Sequence, residues 1–578
     1  MTDQYSGQNH ATTKDRPQDS AKYRLVTLWQ SLTTVRTNPT NNKCLTLPIL
    51  RLDNPYSRNF HLSWLGFWVA FLSWFAFSPL VPEAVRTDLK LTQKEIGNSN
   101  IISLCATLVV RLIVGPLVDR FGPRKVMAGI LLVGSIPSGL AGTISSAQGL
   151  HVVRFFIGIL GGTFVPCQAW TTAFFDTKVV GRANALVGGW GNSGGGFTFI
   201  IMVGLYNRLR EDGISAHSAW RAAFAIVPVP ILVAVAIVTL VFGTDHPDDT
   251  WNDKQQDTRS TGIAKRILGN DNVESHSTRN QEMFDEKASQ GSQDKRHGDS
   301  EKGITVGVHA VTVPDTETGR LDSDTHMKAG AGIPSCAAPG QEGFSRAVIS
   351  GVIKNPLTWL PAFAYLTSFG YELAIDANLS NVLFGIYNPT KPGFNQTTSG
   401  YIASIYGLLN LFSRPLGGYL GDIAYRKYGV PGRKHLVLLA GVAQGLLSIG
   451  LGVYIDRHHH VSASSTPSLA VTIILLVLVA LVNEIANGAN FSLVPHCNPN
   501  SNGFMTGIVG AAGNLGGVWF ALMWRYQPQP FGRAFWIAGV VTVVRSIQRI
   551  KWGLIVFTFD DRSSTLYSSS SAYRADSY

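Results

Sequence analysis

The chain has 578 residues, 45% of them hydrophobic and only 15% charged, with 59 glycines and a formal net charge of +11. A soluble protein of average composition carries about 25% charged residues and about 7% glycine, so an ordinary soluble multidomain enzyme is excluded and a membrane bundle is indicated. The positive charge then requires no nucleic-acid partner, because lysine and arginine collect in the cytoplasmic loops of membrane proteins.

Residues 1–59 are polar, with no apolar stretch ending in a small-residue cleavage site, and read as a cytoplasmic N-terminal tail. From Phe60 the pattern changes. The run 60–82 has the ~20 residues that cross a ~30 Å hydrocarbon layer as a helix. Further spans are predicted at 97–118, 126–144, 150–175, 182–206 and 221–243, then at 357–385, 400–421, 435–455, 469–492 and 504–525. A twelfth begins near 531, but Arg545, Arg549 and Lys551 interrupt its apolar run. The expected fold is an all-α membrane protein of 12 transmembrane helices in two six-helix halves, 60–243 and 351–559. Residues 244–350 form a disordered linker, poor in Leu, Ile, Val and Phe, and 560–578 a second tail. Arg120, Arg124 and Lys125 after span 2, Lys178 and Arg182 after span 4, and Arg426, Lys427, Arg433 and Lys434 after span 8 put both termini and the linker in the cytoplasm. The linker's charged runs are candidate kinase sites, or only a solvated tether. Asn395-Gln396-Thr397 falls in an outside loop as a formal glycosylation sequon.

The halves repeat one another. Arg111-x3-Gly115-x3-Asp119 before Gly122-Pro-Arg124-Lys125 matches Arg414-x3-Gly418-x3-Asp422 before Gly432-Arg433-Lys434, an offset of 303. Gly191-Asn192-Ser193-Gly194-Gly195 matches Gly513-Asn514-Leu515-Gly516-Gly517 at an offset of 322. Arg111 and Arg414 each precede a loop-opening Asp by eight residues, roughly 12 Å along a helix and near the bilayer centre. Two central arginines cost about 5–7 kcal/mol unless paired. An oxyanion matched by planar guanidinium donors is one counter-charge; helix carbonyls, Glu372 or Asp376 are the other partners. The glycines read chiefly as close-packing positions, whereas Asn192 and Asn514 need partners and could donate to an oxyanion. Gly115, Asp119, Arg120, Gly122 and Arg124, with Gly418 and Asp422, read as a conformational gate on the cytoplasmic side. Nothing suggests a cofactor, a metal or an enzyme active site: the five cysteines lack ligand spacing, and His458-His459-His460 reads as solvated loop.

ANALVGGWGNSGGGFTF and GIVGAAGNLGGVWFAL resemble the paired motifs of the nitrate/nitrite porter family of the major facilitator superfamily, closest to its fungal high-affinity members. SWLGFWVAFLSWFAFSPL, NSNIISLCATLVVRLIVGPLVDRFGPR, RFFIGILGGTFVPCQAW and NGANFSLVPH extend the likeness over about 55–525, the linker apart. The resemblance implies proton symport of nitrate, and of nitrite, at the plasma membrane. It also implies substrate contacts from Arg111, Arg414, Asn192, Asn514, Phe71 and Tyr365. A porter for another oxyanion such as phosphate, or a nitrate sensor that does not transport, are the competing expectations.

Overall fold

The computed structural model describes residues 29–39, 41–176, 178–247, 346–461, 466–497, 502–527, 529 and 531–564. Residues 1–28 of the expected N-terminal tail, most of the expected linker with Cys336, and residues 565–578 of the expected C-terminal tail lie outside the described residues, whereas 560–564 belong to the last helix. Among the described residues twelve long helices follow one another: α1 Pro55–Trp74, α2 Gln93–Phe121, α3 Pro123–Leu140, α4 Ala147–Phe174, α5 Val180–Glu211, α6 Ala216–Phe242 and α7 Pro356–Tyr387. The helical stretch Gln396–Val461 reverses at Gly429, whose φ of 65° and ψ of −155° are non-helical, and so divides into α8 (396–428) and α9 (430–461). Leu469–Leu493 is α10, Asn502–Tyr526 α11 and Arg533–Ser564 α12.

Local chemistry sets these boundaries. Asn54 caps α1 by accepting from Ser57 N at 2.9 Å, and Pro55 occupies the first turn where its missing N–H costs nothing. The helix thus starts before the apolar run. It also ends early, at Trp74, and a separate π turn follows at Val81–Val85. Pro79 and Pro82 prevent the single helix expected over 60–82. Thr92 and Glu95 form a capping box on α2. Gly122, at φ 84°, lets the chain turn directly into α3, which opens on Pro123. The cations of the last span interrupt its apolar run but not its helix, and α12 is helical through Ser564.

Among the described residues seven helical stretches are long and apolar enough to cross a membrane, including Gln396–His458, which takes in α8 and nearly all of α9. The remaining long helices are less apolar because they carry interior glycines, amides and charges. Val109, Leu112, Ile113, Val133, Ile136, Phe155, Phe412, Leu439 and Ile474 are exposed on the outer surface, while Arg111, Arg414, Glu372, Glu484 and Asp376 are buried. This inversion of the soluble pattern suits a lipid-facing surface.

The glycine-rich helices pack as the repeat demands. A Cβ at Gly189 would lie 2.5 Å from the Asn410 carbonyl oxygen, and one at Gly196 the same distance from Leu408 N, so α5 and α8 touch backbone to backbone. α11 does the same to α7, where a Cβ at Gly370 would meet the Gly516 carbonyl carbon at 2.6 Å.

The edges of the supposed tails and linker are ordered. Residues 36–39 and 41–46 dock on the end of α4 and the α4–α5 loop: Cys44 N donates to Phe174 O at 2.9 Å, and Asn38 and Asn41 amides donate to Asp176 Oδ2 at 3.0 and 3.1 Å. Thr244, at the expected start of the linker, exchanges hydrogen bonds with Asn59, and Arg346–Lys354 at its end is helical. The four described cysteines are free.

Candidate functional site

Arg111 on α2 and Arg414 on α8 reach the same place between the halves. Their guanidinium carbons lie 5.1 and 5.6 Å from the centroid of one ring, Phe369 on α7, and Arg111 also lies 4.8 Å from the Phe164 ring of α4. Phe369 stacks on Tyr365 at 4.6 Å with 4° between the planes, and Phe164 stacks against both. A guanidinium held flat on an aromatic face keeps its N–H edge free for in-plane acceptors.

Small residues make the room. A Cβ at Gly188 on α5 would lie 3.3 Å from Arg414 Nε, and one at Gly510 on α11 would lie 3.0 Å from Arg111 Cδ. The two positions differ by the same 322 residues as the sequence repeat, and each accommodates the arginine of the opposite half. Arg111 and Arg414 are 0% and 1% exposed.

Their partners are unequal. Arg111 Nε donates to Gly161 O at 2.9 Å and its NH1 to Gly510 O at 3.0 Å, while NH2 has no partner. Arg414 NH2 donates to the Tyr365 hydroxyl at 2.7 Å, and its NH1 lies 3.6 Å from Glu372 Oε2 and 3.7 Å from Glu484 Oε2. Both kinds of alternative partner weighed from sequence, helix carbonyls and Glu372, are therefore present, one for each arginine. Arg111 thus keeps a buried nitrogen with no acceptor.

The asparagines differ from expectation. Asn192 Nδ2 donates to Glu372 Oε1, and Asn514 Nδ2 to Gly510 O at 3.0 Å; in both it is Oδ1 that has no partner. Phe71 is buried among Phe67, Trp74 and Phe75, at centroid distances of 4.5, 5.1 and 5.6 Å, and makes no cation–π contact with either arginine. Phe164, Phe369, Asn410, Asn487 and Glu484 touch the arginines or their carboxylate partners and were missed from sequence. A lone acid in an apolar span, as Glu484 is in α10, is the signal that would have found it.

The gate residues divide similarly. Asp119 Oδ1 and Oδ2 accept from Gly503 N and Phe504 N at 3.1 and 3.0 Å, a carboxylate at the N-terminus of α11. A Cβ at Gly115 would lie 3.1 Å from Gly503 O, so only a small residue lets α2 approach α11 here. In the other half Asp422 pairs with Arg182 at 2.8 Å and Arg433 at 2.7 Å, and a Cβ at Gly418 would strike Ala185. The two aspartates thus fasten α2 to α11 and α8 to α5 on one face. Of the first-half cations, Arg120 is exposed over the Phe121 ring, and Arg124 donates to Gly243 O at 3.1 Å and pairs with Asp245 at 3.4 Å, all within its own half. Burial pushes the Asp245 carboxyl above its ordinary value even beside Arg124. On the opposite face Gln396 Oε1 accepts from Glu83 N and Ala84 N at 2.8 and 2.9 Å, Asn207 donates to Thr397, and Asn100 to Asn378. The middle and last residues of the sequon thus join the inter-half contact. Both faces are closed over the arginines. His458 Nδ1 contacts the Tyr454 carbonyl, and among the described residues no His, Cys, Asp and Glu cluster has the form of a metal site.

The model of the Major Facilitator Superfamily matches residues 63–521. The high affinity nitrate transporter 2.5 of Arabidopsis thaliana is 30% identical over 478 residues, 82% of this chain and 75% of that one. The chain belongs to the nitrate/nitrite porter family of this superfamily. Nitrate transporter 2.2 of Chlamydomonas reinhardtii is 28% identical to the porter over 480 residues, covering 82% of this chain and 75% of that one. The nitrate/nitrite transporter NrtP of Nostoc punctiforme is 27% identical over 489 residues, 82% and 88% of the two chains. The solved proton:xylose symporter XylE superposes on the porter with a TM-score of 0.53 at 14% identity, covering 86% of this chain and 95% of that one, a likeness of fold.

Proposed function

We propose that this chain imports nitrate, and nitrite through the same site, across the plasma membrane by proton symport, with the site opened alternately to the two sides and both termini in the cytoplasm. The observation that carries the reading is the pair of buried guanidinium groups over one ring between the halves, of which Arg111 retains a free NH2. A monoanion with oxygens in one plane can accept from Arg111 NH2 and displace the carboxylates from Arg414. A dianion such as phosphate would bring a second negative charge against Glu372 and Glu484, so the site favours the smaller charge. The contacts on the two faces are the two gates of such a cycle: Asp119 and Asp422 on one, Gln396 and Asn207 on the other. Arg124 anchors α3 to the end of α6 and supports the first gate from its side. Uptake of labelled nitrate into cells lacking their own nitrate transporter tests the reading. Saturable uptake at micromolar nitrate is expected, and binding without uptake would leave a sensor.

A further inference from the structure

The buried charges of the core form a count. Two guanidinium groups, Arg111 and Arg414, share it with three carboxyls, Glu372 and Asp376 on α7 and Glu484 on α10, all at most 4% exposed. Glu372 is fully engaged: Asn192 donates to Oε1, Asn410 to Oε1 at 2.9 Å, and Asn487 to Oε2 at 2.8 Å. Glu484 shares Asn487 at 3.4 Å, and its Oε1 has no partner. Asp376, one turn along α7 from Glu372, accepts no hydrogen bond and pairs with no cation among the described residues, so a charge on it would stand uncompensated in the core and it enters the count protonated. Facing Glu484 are Glu372 and Asp376 from α7 and Arg414 and Tyr406 from α8; α5 brings only the uncharged Asn192 to this depth.

Two cations and two carboxylates balance in a region closed to water, where surplus charge is costly. A monoanion bound to the arginines adds one negative charge and takes N–H donors away from the carboxylates. Glu372 keeps three amide donors when this happens, whereas Glu484 is left with one shared amide and the facing Glu372 carboxyl, so a proton on Glu484 relieves the pair. We propose that Glu484 is the proton-binding group of the transport cycle, taking up one proton as the anion takes Arg414 and releasing it when the anion leaves. The step balances: the Arg414 NH1 contact to Glu484 breaks, an O–H bond forms on the carboxyl from a solvent proton, and the core gains one anion and one proton with no net charge. This inference rests on the proton-symport reading and names the group that would perform it.

The test uses the full chain in liposomes with labelled nitrate, comparing the parent, Glu484→Gln and Glu484→Asp. Exchange of internal for external nitrate needs no net proton movement, whereas accumulation under a pH gradient does. One coupled proton contributes about tenfold accumulation per pH unit. Glu484→Gln should lose that tenfold and exchange nitrate at a rate that no longer varies with pH; Glu484→Asp should keep both responses. Should Glu484→Gln accumulate as the parent does, or should both variants lose exchange altogether, Glu484 is not the proton site and the inference is overturned. A parent that exchanges nitrate without responding to the gradient overturns the symport reading, and a parent that neither exchanges nor accumulates overturns transport itself; in either case the inference falls with it.

Discussion

Replacing Arg111 by Lys keeps a positive charge at the same depth but removes the planar fork. In the structure that fork spans two carbonyls, Gly161 O at 2.9 Å and Gly510 O at 3.0 Å, lies on the Phe164 and Phe369 rings, and still presents NH2. An ammonium on an unbranched stem cannot meet both carbonyls and an anion in those directions. Hydrogen bonds to charged groups contribute about 1.5–3 kcal/mol each, so losing one or two weakens nitrate binding by roughly 10- to 10⁴-fold. The fold should suffer little, because Arg111 has no carboxylate that the change would strand. Arg414→Lys differs, since loosening a buried ion pair costs stability as well as affinity, and its surface expression should fall. The assay is nitrate binding and initial uptake at matched surface expression. If Arg111→Lys bound nitrate like the parent, Arg111 would be a structural arginine and the placement of the anion would be wrong.

Moving an anion inward against 100 mV costs about 2.3 kcal/mol; one anion with the single proton assigned to Glu484 moves no net charge, so the depolarisation expected on adding nitrate requires at least one further proton per anion, and uptake without inward current would limit the cycle to the proton on Glu484. Gly516→Ala places a Cβ against the Leu366 carbonyl and should destabilise the α7–α11 contact by about 1–3 kcal/mol or more, whereas Gly204→Ala meets nothing within 4 Å and should leave uptake intact; paired melting and uptake measurements check both. Asp422→Asn removes the carboxylate between Arg182 and Arg433 and should change turnover more than affinity, read by thiol labelling of cysteines introduced on that face. Deleting most of 255–340 while keeping some ~20 flexible residues should preserve initial uptake, and a truncated protein that inserts but no longer moves nitrate would assign that segment to the transport machinery.

Long apolar runs announced most of the helices, because a helix that must satisfy its own backbone in lipid has few other readings. The boundaries were less visible at α1, where Asn54 and the prolines outweighed hydropathy. The arginine pair was legible for an energetic reason, as was the repeat that relates the helices bearing it. Its surroundings were not. Phe164 and Phe369 look like any aromatic in an apolar span, and only the helix crossings turn their faces to the guanidinium groups. Glu484 is not legible as a partner of Arg414 from the repeat, because it stands on α10, which packs against α8 from outside the repeat-related pair and supplies the second carboxylate. The amide directions of Asn192 and Asn514 depend on neighbours contributed by α7 and α11, which spacing along one helix does not encode.

The docking of residues 36–39 and 41–46 on the end of α4 and the α4–α5 loop bears on how the chain is built. Asn38 is separated from its partner Asp176 by 138 residues, and at about 5–20 residues per second the ribosome needs roughly 7–28 s to supply the second after the first. During that interval Cys44, 0% exposed in the finished protein, lacks the backbone partners that Phe174 and Asp176 supply, while α1 to α4 are delivered to the membrane one after another. On the proposed orientation both partners stay on the ribosome's side of the bilayer, so the early segment needs only to remain near the surface until the loop arrives. Its closure then marks the moment at which the first four helices have reached their places, and a probe that recognises the undocked segment would distinguish nascent chains stalled before that point from those that have passed it.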